Sequence, residues 1–248
     1  MPTFKLIIAY DGTNFSGWQY QPDRRTAQGV LQDAWRQITG EVSSVTAASR
    51  TDAGVHAIGQ TVGVDTETHL DAHQLFAALN ATLPKDMILK SIEEVLPGFH
   101  ATRDARGKRY RYAICNSRLR PLLDRNYVWH VPQPLDAVAM HGAGQHLVGT
   151  HDFASFQSAG SPRDSTMRTI TSIEVRRPAG DNDARVEVDV VGTGFLYNMV
   201  RIIAGSLVDV GAGRRDEKWL IDALAACDRR AAGRTAPPQG LCLAEVYY

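Results

Sequence analysis

The strongest constraint on this chain is an order of segments that occurs twice. Residues 3–10, TFKLIIAY, read as an opening strand that ends at Asp11-Gly12. From Thr26 the period changes to three and four. Val30, Leu31, Ala34, Trp35 and Ile38 share a helical face, with Thr26 as N-cap and Gly40 as stop. Residues 42–46 read as a second strand and 61–65 as a third. Asp71 caps a second helix that carries Leu75, Phe76 and Leu79 on one face and stops before Pro84, and residues 87–95 form a fourth strand. The second half repeats the order loosely. Residues 108–115 alternate basic with apolar or aromatic side chains, and 135–147 are helical in part. Residues 169–176 and 184–191 are strands joined by the turn-rich PAGDND. Residues 196–210 and 216–227 are helices, the latter capped by Asp216, and 241–247 close the chain as a strand. A doubled βαββαβ pattern predicts an α+β fold of two ferredoxin-like halves sharing a central antiparallel sheet. Helices would cover one face, with an active-site cleft between the halves. The expected division is 1–105 for the N-terminal half and 106–248 for the C-terminal half.

Composition narrows the function classes. The chain carries 27 basic and 27 acidic residues, so its formal net charge is zero. Such a balance argues against gripping nucleic acid over the whole surface. Residues 101–125 are the exception, with eight Arg or Lys against two Asp, a local net of 8 − 2 = +6. That segment reads either as a polarised nucleic-acid face or as a solvated strand and loop. No stretch reaches the ~18 apolar residues of a membrane helix, and the N-terminus lacks the pattern of a signal peptide. Cys115, Cys227 and Cys242 are odd in number and far apart, matching neither a disulfide framework nor a metal site. A reduced, cytoplasmic compartment is expected.

The stretch 48–60, ASRTDAGVHAIGQ, reads as a loop, because Gly54 and Gly59 oppose a helix and no apolar alternation marks a strand. Loops on a rigid scaffold are where chemistry concentrates. Asp52 has no helix to cap, lies two residues from Arg50, and is followed by a glycine that lets a ligand approach the backbone. It is a candidate nucleophile, base or metal ligand. His56 reads as a packed imidazole bonded to backbone. In KRYRY, strand periodicity puts Tyr110 and Tyr112 on one side and Arg109 and Arg111 on the other. Aromatics on a sheet face can stack on bases, and they can equally be core. Arg201 sits among apolar neighbours in GFLYNMVRIIAGSLVDVG. A charge there needs an anionic partner, for which Asp52 is a candidate, unless it snorkels to solvent.

These elements, in this order, resemble the tRNA pseudouridine synthase A (TruA) family over nearly the whole chain. YDGTNFSGWQYQP and RTAQGVLQDA are similar to its opening, and SRTDAGVHAIGQ to its signature. LNATLPKDM, FHAT, KRYRYAI, DFASF, GFLYNMVRIIAGSLVDVG and APPQGLCLAEVYY follow in order. Two positions depart from the pattern. Thr102 stands where the family has arginine, with Arg103 next, and Cys242 stands where a larger residue is usual. The resemblance implies an isomerase that converts uridine to pseudouridine at tRNA positions 38–40 in the anticodon arm, without metal or organic cofactor. It implies Asp52 as nucleophile, Tyr110 as the tyrosine that packs on the target base, and Arg201 as the residue paired with the aspartate. Arg50 would help open the RNA and hold the flipped nucleotide, and His56 and Arg109 complete the substrate-binding set with Arg50 and Tyr110. It implies a homodimer, with one tRNA reaching across both subunits. The rival reading is a non-catalytic RNA-binding or chaperone protein on the same scaffold, in which Asp52 is dispensable. A third is a metal-dependent hydrolase using Asp52 and His56.

Overall fold

Strand β1 (Thr3–Tyr10) buries Phe4, Leu6, Ile8 and Tyr10 at alternate positions, so one face of it must be covered. The cover is helical. Helix α1 (Ala27–Thr39) turns Leu31, Ala34 and Trp35 inward, and α2 (Ala72–Thr82) turns Leu75 and Leu79 inward. Both begin on side-chain caps. Thr26 accepts the Gly29 N–H, and Asp71 and Gln74 form a reciprocal capping box. Gly40, at φ 77°, closes α1 in the left-handed region.

The structure is a computed structural model that describes residues 2–158, 165–179 and 184–248. The chain divides into two compact units. The first holds the chain up to Arg106 together with Cys242–Tyr248, and the second holds Gly107–Leu241. In the first unit, β1 is flanked by β3 (His56–Asp65) and β4 (Met87–Val95), antiparallel to both. The outer edge of β3 is shared. Strand β2 (Val45–Ala47) pairs antiparallel with residues 62–64, and β10 (Leu241–Tyr247) pairs parallel at His56 and Ala57. The connection 48–55 leaves the sheet between these two partners.

In the second unit, β5 (Gly107–Cys115) pairs antiparallel with β9 (Arg185–Gly192), β9 with β8 (Met167–Arg176), and β8 with β7 (Gly149–Asp152). The short β6 (Trp129–His130) runs parallel to β5. Val186, Val188 and Val190 are fully buried on one face of β9. Helices α3 (Ala137–Gln145) and α4 (Met199–Gly211) supply core on that unit, and α5 (Glu217–Ala225) follows, capped by Asp216. Gly144 of α3 lies so close to Ile173 of β8 that a Cβ would stand 2.9 Å from its Cγ2. The fold is thus α+β, with mostly antiparallel strand pairing.

Most elements lie where the periodicities put them, with three differences. Residues 56–60 are not loop but the first half of β3. Gly59 is there because the Ala244 carbonyl passes 2.4 Å from where its Cβ would be, so this glycine marks a close approach and not a break. Helix α4 starts at Met199 and not at Leu196, because Asn198 takes a left-handed φ of 61°. Strands β6 and β7, with two and four residues, are too short to show alternation. Of the turn PAGDND, residues 180–183 lie outside the described residues.

Candidate active site

Asp52 belongs to no helix or strand. Its carbonyl accepts the Val55 N–H at 3.1 Å, closing a turn in which Gly54, at φ 78°, takes the position that favours glycine. Upstream, the fully buried Gln60 holds Ser49 as a strand neighbour would. Its Nε2 donates to the Ser49 carbonyl at 2.6 Å, and its Oε1 accepts the Ser49 N–H at 3.3 Å. The loop rests on a second segment of the same unit. Trp18 N–H donates to the Thr51 carbonyl at 3.0 Å, and Gly54 N–H to the Phe15 carbonyl at 3.3 Å. The Tyr10 and Thr51 hydroxyls hydrogen-bond at 2.7 Å. Asp52 is therefore presented on a turn fixed at both ends, with its side chain partly exposed.

Arg50, two residues earlier, is exposed. His56 is buried at the start of β3, and its Nδ1 accepts the Gly12 N–H at 2.9 Å. The Asp11 carboxylate lies 3.2 Å from the same nitrogen and already accepts the Thr13 N–H and hydroxyl. The first unit thus places Arg50, Asp52 and His56 along one short path: exposed cation, presented carboxylate, buried imidazole.

The second unit places Tyr110, Arg109 and Arg201. Tyr110 is 6% exposed on β5, opposite Val190, and meets the edge of Phe195 at 5.2 Å and 85°. Tyr112, two residues on and on the same face, is fully buried and donates its hydroxyl to the Pro237 carbonyl at 2.7 Å. Burial pushes the Tyr112 phenol well above its ordinary range, against a smaller downward pull from Arg201 and Arg234. Arg201, in the first turn of α4, donates Nε to the Ala236 carbonyl at 2.7 Å and Nη1 to Asn198 Oδ1 at 2.6 Å. Adjacent carbonyls, those of residues 236 and 237, therefore receive Arg201 and Tyr112. Arg109 lies across from Val191 and is half-buried.

The basic segment 101–125 is less of a phosphate face than its charge implies. Arg111 makes a bidentate contact with Asp189, Nε at 3.0 Å and Nη2 at 3.1 Å. Arg176 donates to the same carboxylate and to Glu187, both acids being buried. Burial lowers the pKa of Lys108. Thr102 donates its hydroxyl to the Ala47 carbonyl, and Arg103 reaches Gly98 and Asp104. The exposed cations of the segment are Arg103, Arg106, Arg118, Arg120 and Arg125.

Sequence reasoning missed Gln60, Tyr10, Thr51 and the glycines at 12 and 17 as parts of the Asp52 setting. The signal available for Gln60 was an amide beside Thr61 in a strand that is mostly apolar. Among the described residues there is no group of three or more His, Cys, Asp or Glu side chains that could hold a metal ion, and no helix long and apolar enough to cross a membrane.

The tRNA pseudouridine synthase family profile matches residues 6–102 and 143–248. The family match takes in Arg50, Asp52, His56 and Arg201, while Arg109 and Tyr110 lie between its two stretches. The protein called tRNA pseudouridine synthase A in a Geobacillus strain is 46% identical over 245 residues, covering 98% of this chain and 97% of its own. Proteins of that name in Acetivibrio thermocellus and a Thermoanaerobacter strain are 44% and 42% identical over 248 residues, covering both chains in full. The profile takes in the Asp52 turn of the first unit and Arg201 of the second, and the chain belongs to the tRNA pseudouridine synthase family.

Proposed function

We propose that this chain isomerises uridine to pseudouridine in tRNA, at positions 38–40 of the anticodon arm, with Asp52 as nucleophile. The observation that carries the reading is the family's signature aspartate standing on a backbone-fixed turn, outside any regular element. The target base must leave its stack, at a cost of roughly a few kcal/mol. Tyr110 supplies a stacking surface, of the order of 1–3 kcal/mol per base. An ionised Asp52 attacks the ribose C1′ or the uracil C6 and the N1–C1′ bond breaks; C5 then bonds to C1′, the bond to Asp52 is released, the C5 proton passes to a base, and N1 takes up a proton. Arg201 keeps the carboxylate ionised. Arg50 holds the flipped nucleotide, and Arg109 and His56 complete the substrate-binding set.

The same reading builds the chain from two ferredoxin-like halves, 1–105 and 106–248. The strand order β4-β1-β3-β2, antiparallel throughout, supports the first half, and the order β5-β9-β8 supports the second. The enzyme works as a cytoplasmic homodimer on tRNA and needs no metal or organic cofactor.

The test is tritium release from tRNA transcripts labelled at uridine C5, with chelator present. Wild-type release and none from Asp52→Ala is the expected result. No release from folded wild type over several tRNAs would leave RNA binding without catalysis, and loss of wild-type release to chelator would favour a metal-dependent reaction.

A further inference from the structure

We infer that the segment Tyr10–Trp18 positions the Asp52 carboxylate for reaction, with Gly17 and Tyr10 as its positioning residues. The inference rests on the assignment of Asp52 as nucleophile and adds to it a device that sets where the carboxylate stands.

The two backbone bonds that fix the loop, at Thr51 and Gly54, straddle Asp52 and Ala53, and both come from residues 15–18. Between them lies Gly17, at φ 91°. A Cβ there would stand 2.8 Å from the Thr51 carbonyl oxygen, 3.2 Å from the Ala53 nitrogen and 3.3 Å from the Asp52 carbonyl carbon. The backbone at Asp52 therefore packs directly on the backbone at Gly17, with no side chain between to give way. Gly12 makes a similar approach to Val55, where a Cβ would stand 2.1 Å from the carbonyl oxygen.

The segment is itself anchored. The carbonyls of Gly17 and Trp18 accept the N–H groups of Ala27 and Gln28, two of the donors that the start of α1 leaves without intrahelical partners. Phe15 and Trp18 are buried and both pack on Tyr10, with ring centroids at 5.9 and 6.2 Å. Arg25 lies 4.2 Å over the Phe15 ring and makes a bidentate contact with Asp86 at 2.8 Å. A rigid helix start thus fixes residues 15–18, and these fix the turn that carries Asp52. A displacement of about 1 Å in a reacting group can cost about 100-fold in rate.

The experiment compares Gly17→Ala, Gly40→Ala, Tyr10→Phe and Asp52→Ala in the full chain, reading kcat and KM by tritium release, and thermal midpoint. Gly40 also has a left-handed φ but has nothing within 4 Å of a Cβ, so it carries similar backbone strain without touching the loop. Gly17→Ala is expected to lower kcat about 100-fold, with KM within about twofold of wild type. Gly40→Ala is expected to lose midpoint and keep kcat. Tyr10→Phe, which deletes only the hydroxyl bonded to Thr51, is expected to lower kcat about fivefold. Wild-type kcat in Gly17→Ala, or equal kcat losses in Gly17→Ala and Gly40→Ala, overturns the inference. If Gly17→Ala does not fold, wild-type kcat in Tyr10→Phe overturns it instead. Release by Asp52→Ala at the wild-type rate overturns the nucleophile assignment, a result separate from the other arms.

Discussion

The Asp52 turn and the Tyr110–Arg201 region hold their side chains in opposite ways. Asp52 stands on a loop with no ladder of its own, so its place is set by backbone bonds to residues 15 and 18 and by glycines that permit close approach. Tyr110 stands mid-strand and Arg201 in the first turn of a buried helix, so their places follow from core packing. The difference teaches that damage should separate. Faults beneath Asp52 should change turnover more than stability, and faults beneath Tyr110 and Arg201 should change stability first.

The most severe break of this contrast is Gly205→Ala. Gly205 lies one turn after Arg201 on α4, and a Cβ there would stand 1.9 Å from the Arg234 carbonyl oxygen. Overpacking against backbone should cost about 3 kcal/mol, a fall in thermal midpoint of about 6–12 °C. Activity should fall with it as α4 shifts. Next is Asp189→Asn. Removing one partner of a buried pair costs about 3–5 kcal/mol, but Arg111 and Arg176 keep 32% and 33% of their side-chain surface in water. The expected cost is therefore about 1–2 kcal/mol, read by the same melt, with kcat unchanged. Thr26→Ala sharpens the contrast from the other side. Losing the N-cap of α1 should cost about 1 kcal/mol, close to Asp189→Asn. Here kcat should fall with KM constant, because the start of α1 holds residues 17 and 18. Equal kcat in these two variants would erase the distinction. Arg50→Gln should affect stability least, within about 0.5 kcal/mol. It should weaken tRNA binding and lower the slope of log affinity against log salt by about 1, measured by titration at several salt concentrations.

What could be read from the chain beforehand follows the reach of each cause. Helix α1 was legible at both ends because Thr26 and Gly40 act within a turn of themselves. The loop character around Asp52 was legible for the same reason. What holds that loop was not, since Gly12, Gly17 and Trp18 lie more than thirty residues upstream and a glycine does not announce which neighbour it admits. Gly59 was misread on that account. Its partner strand comes almost two hundred residues later. Charge misled in the same manner at Arg111, whose compensating Asp189 is 78 residues away and becomes its neighbour only through the β5–β9 register.

Strand β10 ties the Asp52 turn to the order of synthesis. Cys242–Tyr248 complete the first unit, pairing beside His56 and Ala57, yet residues 107–241 must be made before them. At ~5–20 residues per second, those 135 residues (241 − 107 + 1) take about 7–27 s to translate. During that interval the strand that follows Asp52 waits on the ribosome with part of its edge open. The first unit is completed by residues made after the second, so removing residues 242–248 damages the fold of the first hundred residues.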